Sequence, residues 1–146
     1  MAELSQQQID EHLAEVRIAH LVTIRPSGAP HVAPVWFDWT GSGSQGRAPG
    51  MALVMAGERA VKVRNVGRDP RVSLSVATEG RPYRYVVLEG EARLTKDGLA
   101  EAVERICVRY DGPERGGEFA QELLDRGDMI LLEIRVDRVT SWVDGE

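Results

Sequence analysis

Five cations stand close together in this chain. Arg59, Lys62, Arg64, Arg68 and Arg71 fall within thirteen residues, with Asp69 the one acid among them. Arg59, Lys62 and Arg64 sit at the start of an expected short helix that follows a strand. A helix start carries unpaired N–H groups and a partial positive charge, so flanking cations suit it to a phosphate. The plainer reading is a solvated basic face, because charge runs are usually surface. Two aromatics, Tyr83 and Tyr85, stand two apart, which puts both on one face of a strand. That face is either core or a platform for a planar ligand, and Trp36, Trp39 and Trp142 carry the same two readings.

Other chemistries find less support. The single cysteine, Cys107, falls beside Ile106 on the apolar side of a helix, where a thiol is structural rather than nucleophilic. One cysteine also leaves no intrachain disulfide and no multi-cysteine zinc site. No serine lies in Gly-x-Ser-x-Gly. His12, His20 and His31 show no metal-ligand spacing, so no metal site is expected. His12 is expected on the polar side of the first helix, in solvent. No catalytic residue stands out.

The elements that must position these groups follow from pattern. Ser5 and Gln8 fit a capping box, and Ile9, Leu13 and Val16 follow at helical spacing, which predicts a helix over about 6–16. His20 to Arg25 is a short β-branched run, Pro26 to Pro30 a turn, and His31 to Trp39 extended chain, which together make a hairpin. Pro34 cannot donate to a ladder, so it marks an edge, bulge or bend. Gly41 to Gly50 reads as a flexible loop, since it lacks the Gly-Lys-Ser/Thr and following helix of a phosphate loop. Met51 to Ala56 is a buried strand, Arg59 to Val66 a helix, and Val72 to Ala77 an alternating strand. Tyr83 to Thr95 is the longest strand, with Val86, Leu88, Ala92 and Leu94 on one face and Gly90 as a bend or bulge. A helix from Asp97 stops at Asp111-Gly112-Pro113, and another covers Gly117 to Arg126. Met129 to Val136 and Val139 to Val143 close the chain as two strands. Six or seven strands joined early by turns favour an antiparallel barrel in a single domain over residues 1–146.

Composition agrees. The chain has 146 residues, 42% hydrophobic and 28% charged, with 18 basic against 23 acidic side chains and a net charge of −5. That is a globular balance with no general basic excess, so nucleic acid is not an expected partner. No run approaches about 18 apolar residues, and the first residues lack the basic and apolar parts of a signal peptide. A soluble, cytoplasmic protein without membrane contact is the expectation.

Three segments, in order, carry a resemblance. They are Leu21 to Phe37 (LVTIRPSGAPHVAPVWF), Arg59 to Leu74 (RAVKVRNVGRDPRVSL) and Tyr85 to Ala92 (YVVLEGEA). With them the sequence resembles the pyridoxamine phosphate oxidase-like family of split β-barrel flavin- and deazaflavin-binding proteins, over about residues 5 to 143. The middle segment is the most specific. The resemblance implies a split barrel and a homodimer with two cofactor sites at its interface. It implies that Lys62 meets the cofactor phosphate, with Arg59 or Arg64 assisting. His31, Pro34, Val35 and Trp36 would lie along the tricyclic ring. Met55, Ala56 and Gly57 would bring backbone to the cofactor. Tyr83 and Tyr85 would reach it from the other subunit. The short length and the Arg-Asn-x-x-Arg-Asp-Pro-Arg-Val-Ser pattern resemble the branch that uses coenzyme F420, a deazaflavin with a lactyl-phosphate and a polyglutamate tail, for which Arg47 and Arg25 are further candidates. An F420H2-dependent reductase of small unsaturated or quinone-like molecules is therefore implied. An FMN-dependent oxidoreductase, or a non-catalytic flavin, deazaflavin or haem carrier, is the alternative. The Arg-x-Val-Leu-Leu-Lys segment of the oxidases themselves is missing.

Overall fold

The computed structural model describes residues 2–41 and 50–144. The first helix, α1 (Gln6–Ala14), starts with the expected capping box: Ser5 Oγ accepts from Gln8 N, and Gln8 Oε1 accepts from Ser5 N at 2.8 Å. It ends two residues earlier than its spacing suggests. Arg109 donates to the carbonyls of Leu13 and Glu15, at 2.8 and 3.0 Å, and Glu15 is already extended. His12 is not in solvent. It is fully buried, and its Nε2 lies 2.9 Å from the Val76 carbonyl. The spacing explains the correction: Ile9, His12 and Leu13 share the buried face.

Seven strands follow, with the helices between and beside them. They are β1 (Ala19–Ile24), β2 (Pro30–Val35), β3 (Phe37–Trp39), β4 (Met51–Gly57), β5 (Arg71–Ala77), β6 (Tyr83–Thr95) and β7 (Met129–Asp144). Helix α2 (Val61–Arg68) joins β4 to β5, and α3 (Leu99–Asp111) and α4 (Pro113–Asp125) join β6 to β7. All pairings are antiparallel, and the sheet order is β2-β1-β5-β6-β7-β4-β3. The two edge strands, β2 and β3, are consecutive in the chain with Trp36 alone between them. One residue spans only about 3.5 Å, so the sheet has to curl until its edges stand side by side. This is a half-barrel, and the class is α+β. Pro34 lies in an edge strand, as its missing donor requires.

The core fills the inside of the curl. Phe37, Leu21, Leu74, Val76, Val86, Leu88, Leu132 and Ile134 are fully buried, and Leu13 of α1 joins them. The two longest strands bend together at a bulge. Glu89 pairs with Arg138 and Gly90 with Val136, which leaves Asp137 as the extra residue. A Cβ at Gly90 would stand 2.0 Å from the Arg135 carbonyl oxygen, so only glycine fits. The bulge is also why β7 is one strand and not the two expected: Asp137-Arg138 is read as a break but is absorbed within the ladder.

Three helix boundaries differ from expectation. Helix α2 begins at Val61 after a turn at Glu58 and Arg59, and α3 begins at Leu99 instead of Asp97. Helix α4 begins at Pro113, whose fixed φ suits a first turn. A second apolar cluster of Val103, Cys107, Ala120, Leu123 and Met129 ties α3 to α4 and to the start of β7. Cys107 is fully buried, and burial pushes its thiol up to about 11, which makes it inert. Residues 42–49 of the expected loop, including Arg47, lie outside the described residues. No described helix is long and apolar enough to cross a membrane.

Candidate functional site

The basic segment resolves into two groups with different employment. Arg71 is chelated by Asp69, with Nη2 to Oδ2 at 2.8 Å and Nε to Oδ1 at 3.0 Å. That bonding, with the Arg71 N–H, holds the Asp69 carboxyl down at about 2. Arg68 donates to the Ile24 carbonyl at 2.6 Å and to Asn65 Oδ1 at 3.2 Å. These two are structural. Among the described residues, no ion pair includes Arg59, Lys62 or Arg64.

Those three surround the start of α2. Strand β4 ends at Gly57, and the turn is held by Ala60 N to the Gly57 carbonyl at 3.0 Å and Glu58 N to the Asp128 carbonyl at 2.8 Å. Glu58 also pairs with Lys96. Ala60 stands at the helix cap and offers no side-chain acceptor, and the first turn holds no acid. The helix start therefore keeps its partial positive charge. Lys62 is half-buried there, and burial alone pulls its ammonium below the usual lysine range. A partly desolvated cation beside an uncapped helix start, with the neighbouring Glu58 engaged by Lys96, has the chemistry to receive an anion. Arg59 and Arg64 are exposed around it.

The helix is pinned in place by residues the sequence reading passed over. Asn65 is 2% exposed, and its Nδ2 donates to Thr23 Oγ1 of β1 at 3.0 Å. His31 stands directly opposite Thr23, on the same face of the hairpin. Its Nδ1 is buried with no partner. The polar type of Asn65 amid apolar helix spacing was the available clue.

The remaining candidates separate. Val35 and Ala56 are buried in the core, while Pro34 is exposed on the other face of β2. Trp36 is stacked on Tyr110, with centroids 4.7 Å apart and planes 2° from parallel, and meets the edge of Phe119 at 5.9 Å. Trp36, Met55 and Gly57 come together in a cleft of 340 Å³ closed by Phe119, Leu123 and Met129, with Arg126 and Asp128 also in its lining. Tyr83 and Tyr85 lie elsewhere. Tyr83 is 44% exposed with the Arg81 guanidinium 4.9 Å from its ring centre, and Tyr85 packs 6.0 Å from Trp142. Gly67, in the last turn of α2, lies against Leu94 of β6, eleven residues along the strand from Tyr83 and nine from Tyr85. Among the described residues no three His, Cys, Asp or Glu side chains stand close enough to hold a metal ion.

The sequence profile of the pyridoxamine 5'-phosphate oxidase family matches residues 5–143. No protein of curated function matches the sequence. Solved structures share the fold at low identity. A conserved hypothetical protein from Mycobacterium tuberculosis is 23% identical, with a TM-score of 0.79 over 96% of this chain and 85% of the other. An F420 reductase is 24% identical, with a TM-score of 0.68 over 89% and 94%. A FAD-binding protein from Mesorhizobium loti is 16% identical, with a TM-score of 0.68 over 99% and 98%.

Proposed function

The chain belongs to the pyridoxamine 5'-phosphate oxidase family, and on that premise we propose that it is an F420H2-dependent reductase of small unsaturated or quinone-like molecules. The observation that carries this is Lys62: a half-buried ammonium, with no carboxylate partner, at an uncapped helix start. Those residues fit the phosphate of a flavin-type cofactor. The exposed Arg59 and Arg64 beside it suit further negative charge, as on a polyglutamate tail, and this favours F420 over FMN.

When bound, reduced F420 supplies a hydride to an electron-poor carbon. The chain's own residues do the positioning. Lys62 and the first N–H groups of α2 hold the phosphate, while Asn65 and Thr23 hold α2 to the sheet. Trp36, Met55, Phe119 and Leu123 would offer an apolar wall in the cleft beside Gly57. Two copies of the chain form the working unit. The resemblance supports it, because Tyr83 and Tyr85 stand at the other end of β6 from the Leu94 contact with α2, where a second copy can present them to the same cofactor.

Fluorescence titration with F420 and FMN side by side tests the proposal. F420 is expected to bind more tightly than FMN, and Lys62→Ala to weaken it by about ten- to a hundredfold, the effect of one charge-assisted hydrogen bond. Absence of F420 binding refutes it, and FMN binding alone replaces it with the flavin enzyme.

A further inference from the structure

A second cleft opens at the other end of β1 from α2. It occupies 530 Å³ between the segment Val16 to Ile18, the turn from β5 to β6, and Tyr110. That volume is within the range of small-molecule pockets. We propose that this cleft binds a small organic carboxylate with an apolar body, at a place separate from the Lys62 seat of the same chain.

The charges lining it are Arg17, Arg81 and Arg84 against one acid, Glu79. Glu15, behind the lining, serves two of these cations at once: it pairs with Arg17 and, at 3.5 Å, with Arg84. One carboxylate shared by two guanidiniums leaves positive charge over. The Nε atoms of Arg17 and Arg84 are also buried without acceptors. Both side chains are largely withdrawn from water, at 23% and 28% exposure, so the surplus charge is poorly screened. Arg81 and Glu79 form no ion pair among the described residues. Arg81 rests on the Tyr83 ring and keeps its donors for a ligand.

The other polar groups are already engaged. The Tyr110 hydroxyl donates to the Arg17 carbonyl at 2.7 Å and accepts from Phe37 N at 3.1 Å. Thr78 Oγ1 accepts from Arg84 N at 2.9 Å, and Thr78 N donates to the Arg84 carbonyl at the same distance, which fixes the hairpin. The cleft thus offers guanidinium donors and few free acceptors, which selects an anion over an alcohol or amine. Apolar surface accompanies the charge. Val16 and Ile18 flank Arg17 and remain 54% and 48% exposed, among the most exposed large apolar side chains described. A ligand tail lying on them would remove that surface from water.

Calorimetric titration of the cofactor-free protein with hexanoate, hexanamide and acetate tests the proposal. Hexanoate is expected to bind, with hexanamide, which lacks the charge, and acetate, which lacks the body, each at least tenfold weaker. Arg81→Gln should weaken hexanoate about tenfold with an unchanged melting temperature, because Arg81 is exposed and unpaired. Ile18→Asn should lower affinity for hexanoate but not for acetate. Lys62→Ala should leave hexanoate binding intact. Equal binding of acid and amide overturns the proposal, as does wild-type affinity in Arg81→Gln or loss of hexanoate binding in Lys62→Ala.

Discussion

Asn65→Leu is the sharpest probe of how the anion seat is held. The substitution keeps side-chain volume roughly constant and removes both polar ends. Thr23 is fully buried, so its Oγ1 is left without the donor that stood at 3.0 Å. Arg68 loses its bond to Asn65 Oδ1 but keeps the Ile24 carbonyl. Orphaning one buried hydroxyl costs about 1–3 kcal/mol. With a sensitivity of roughly 2–4 °C per kcal/mol for a chain of this size, the melting temperature should fall by about 2–12 °C. Thr23→Val should cost a similar amount, because it orphans the amide instead. The double variant leaves neither group unpaired. It should therefore be more stable than the sum of the single losses predicts, by about 1–2 kcal/mol. Urea unfolding of the four proteins measures this cycle, and losses that add to within about 0.5 kcal/mol would refute the reasoning. Asn65→Leu should also weaken cofactor binding with Lys62 intact, since α2 then loses its anchor to β1.

Two further outcomes follow from packing and charge. Gly116 and Gly117 are neighbours in α4 with opposite surroundings: a Cβ at Gly116 would stand 2.5 Å from the Cys107 carbonyl oxygen, and one at Gly117 would meet nothing within 4 Å. Gly117→Ala should stabilise by about 0.5–1 kcal/mol through helix propensity, while Gly116→Ala should destabilise by roughly 2 kcal/mol or more, both read from thermal melts. His12 is held below its ordinary 6.5 chiefly by burial, with Arg17 and Arg84 adding repulsion. The unfolded chain therefore binds its proton more readily, so stability is full above 6.5 and falls as pH drops towards the lowered folded value. The urea midpoint should decline on acidification through that window, and an undiminished decline in His12→Gln would assign the effect to another group.

Much of the architecture was legible because it is local. Alternation marks β5 and β6, turn residues mark the β1–β2 hairpin, and Pro34 marks an edge, bulge or bend, of which the structure shows the edge. What was not legible depends on residues far along the chain. Helix α1 stops early because Arg109 takes its last carbonyls. Asp137 looks like the end of a strand, but the partner strand accommodates it opposite Gly90. His12 was misplaced by residue type although its spacing was apolar. The cation cluster was visible as composition. Its division into tied Arg68 and Arg71 and, among the described residues, unpaired Arg59, Lys62 and Arg64 is tertiary. Trp36 likewise finds its stacking partner, Tyr110, on a helix 74 positions further on.

Strand β7 is the last of the seven in the chain and lies between β6 and β4. Without its sixteen residues the order falls into two fragments, β2-β1-β5-β6 and β4-β3, joined by the chain through Trp36 and through α2. Until β7 pairs, the chain carries two incomplete half-sheets with open edges on β6 and β4. Closure of the sheet therefore rests on one strand that pairs with β6 along one edge and with β4 along the other.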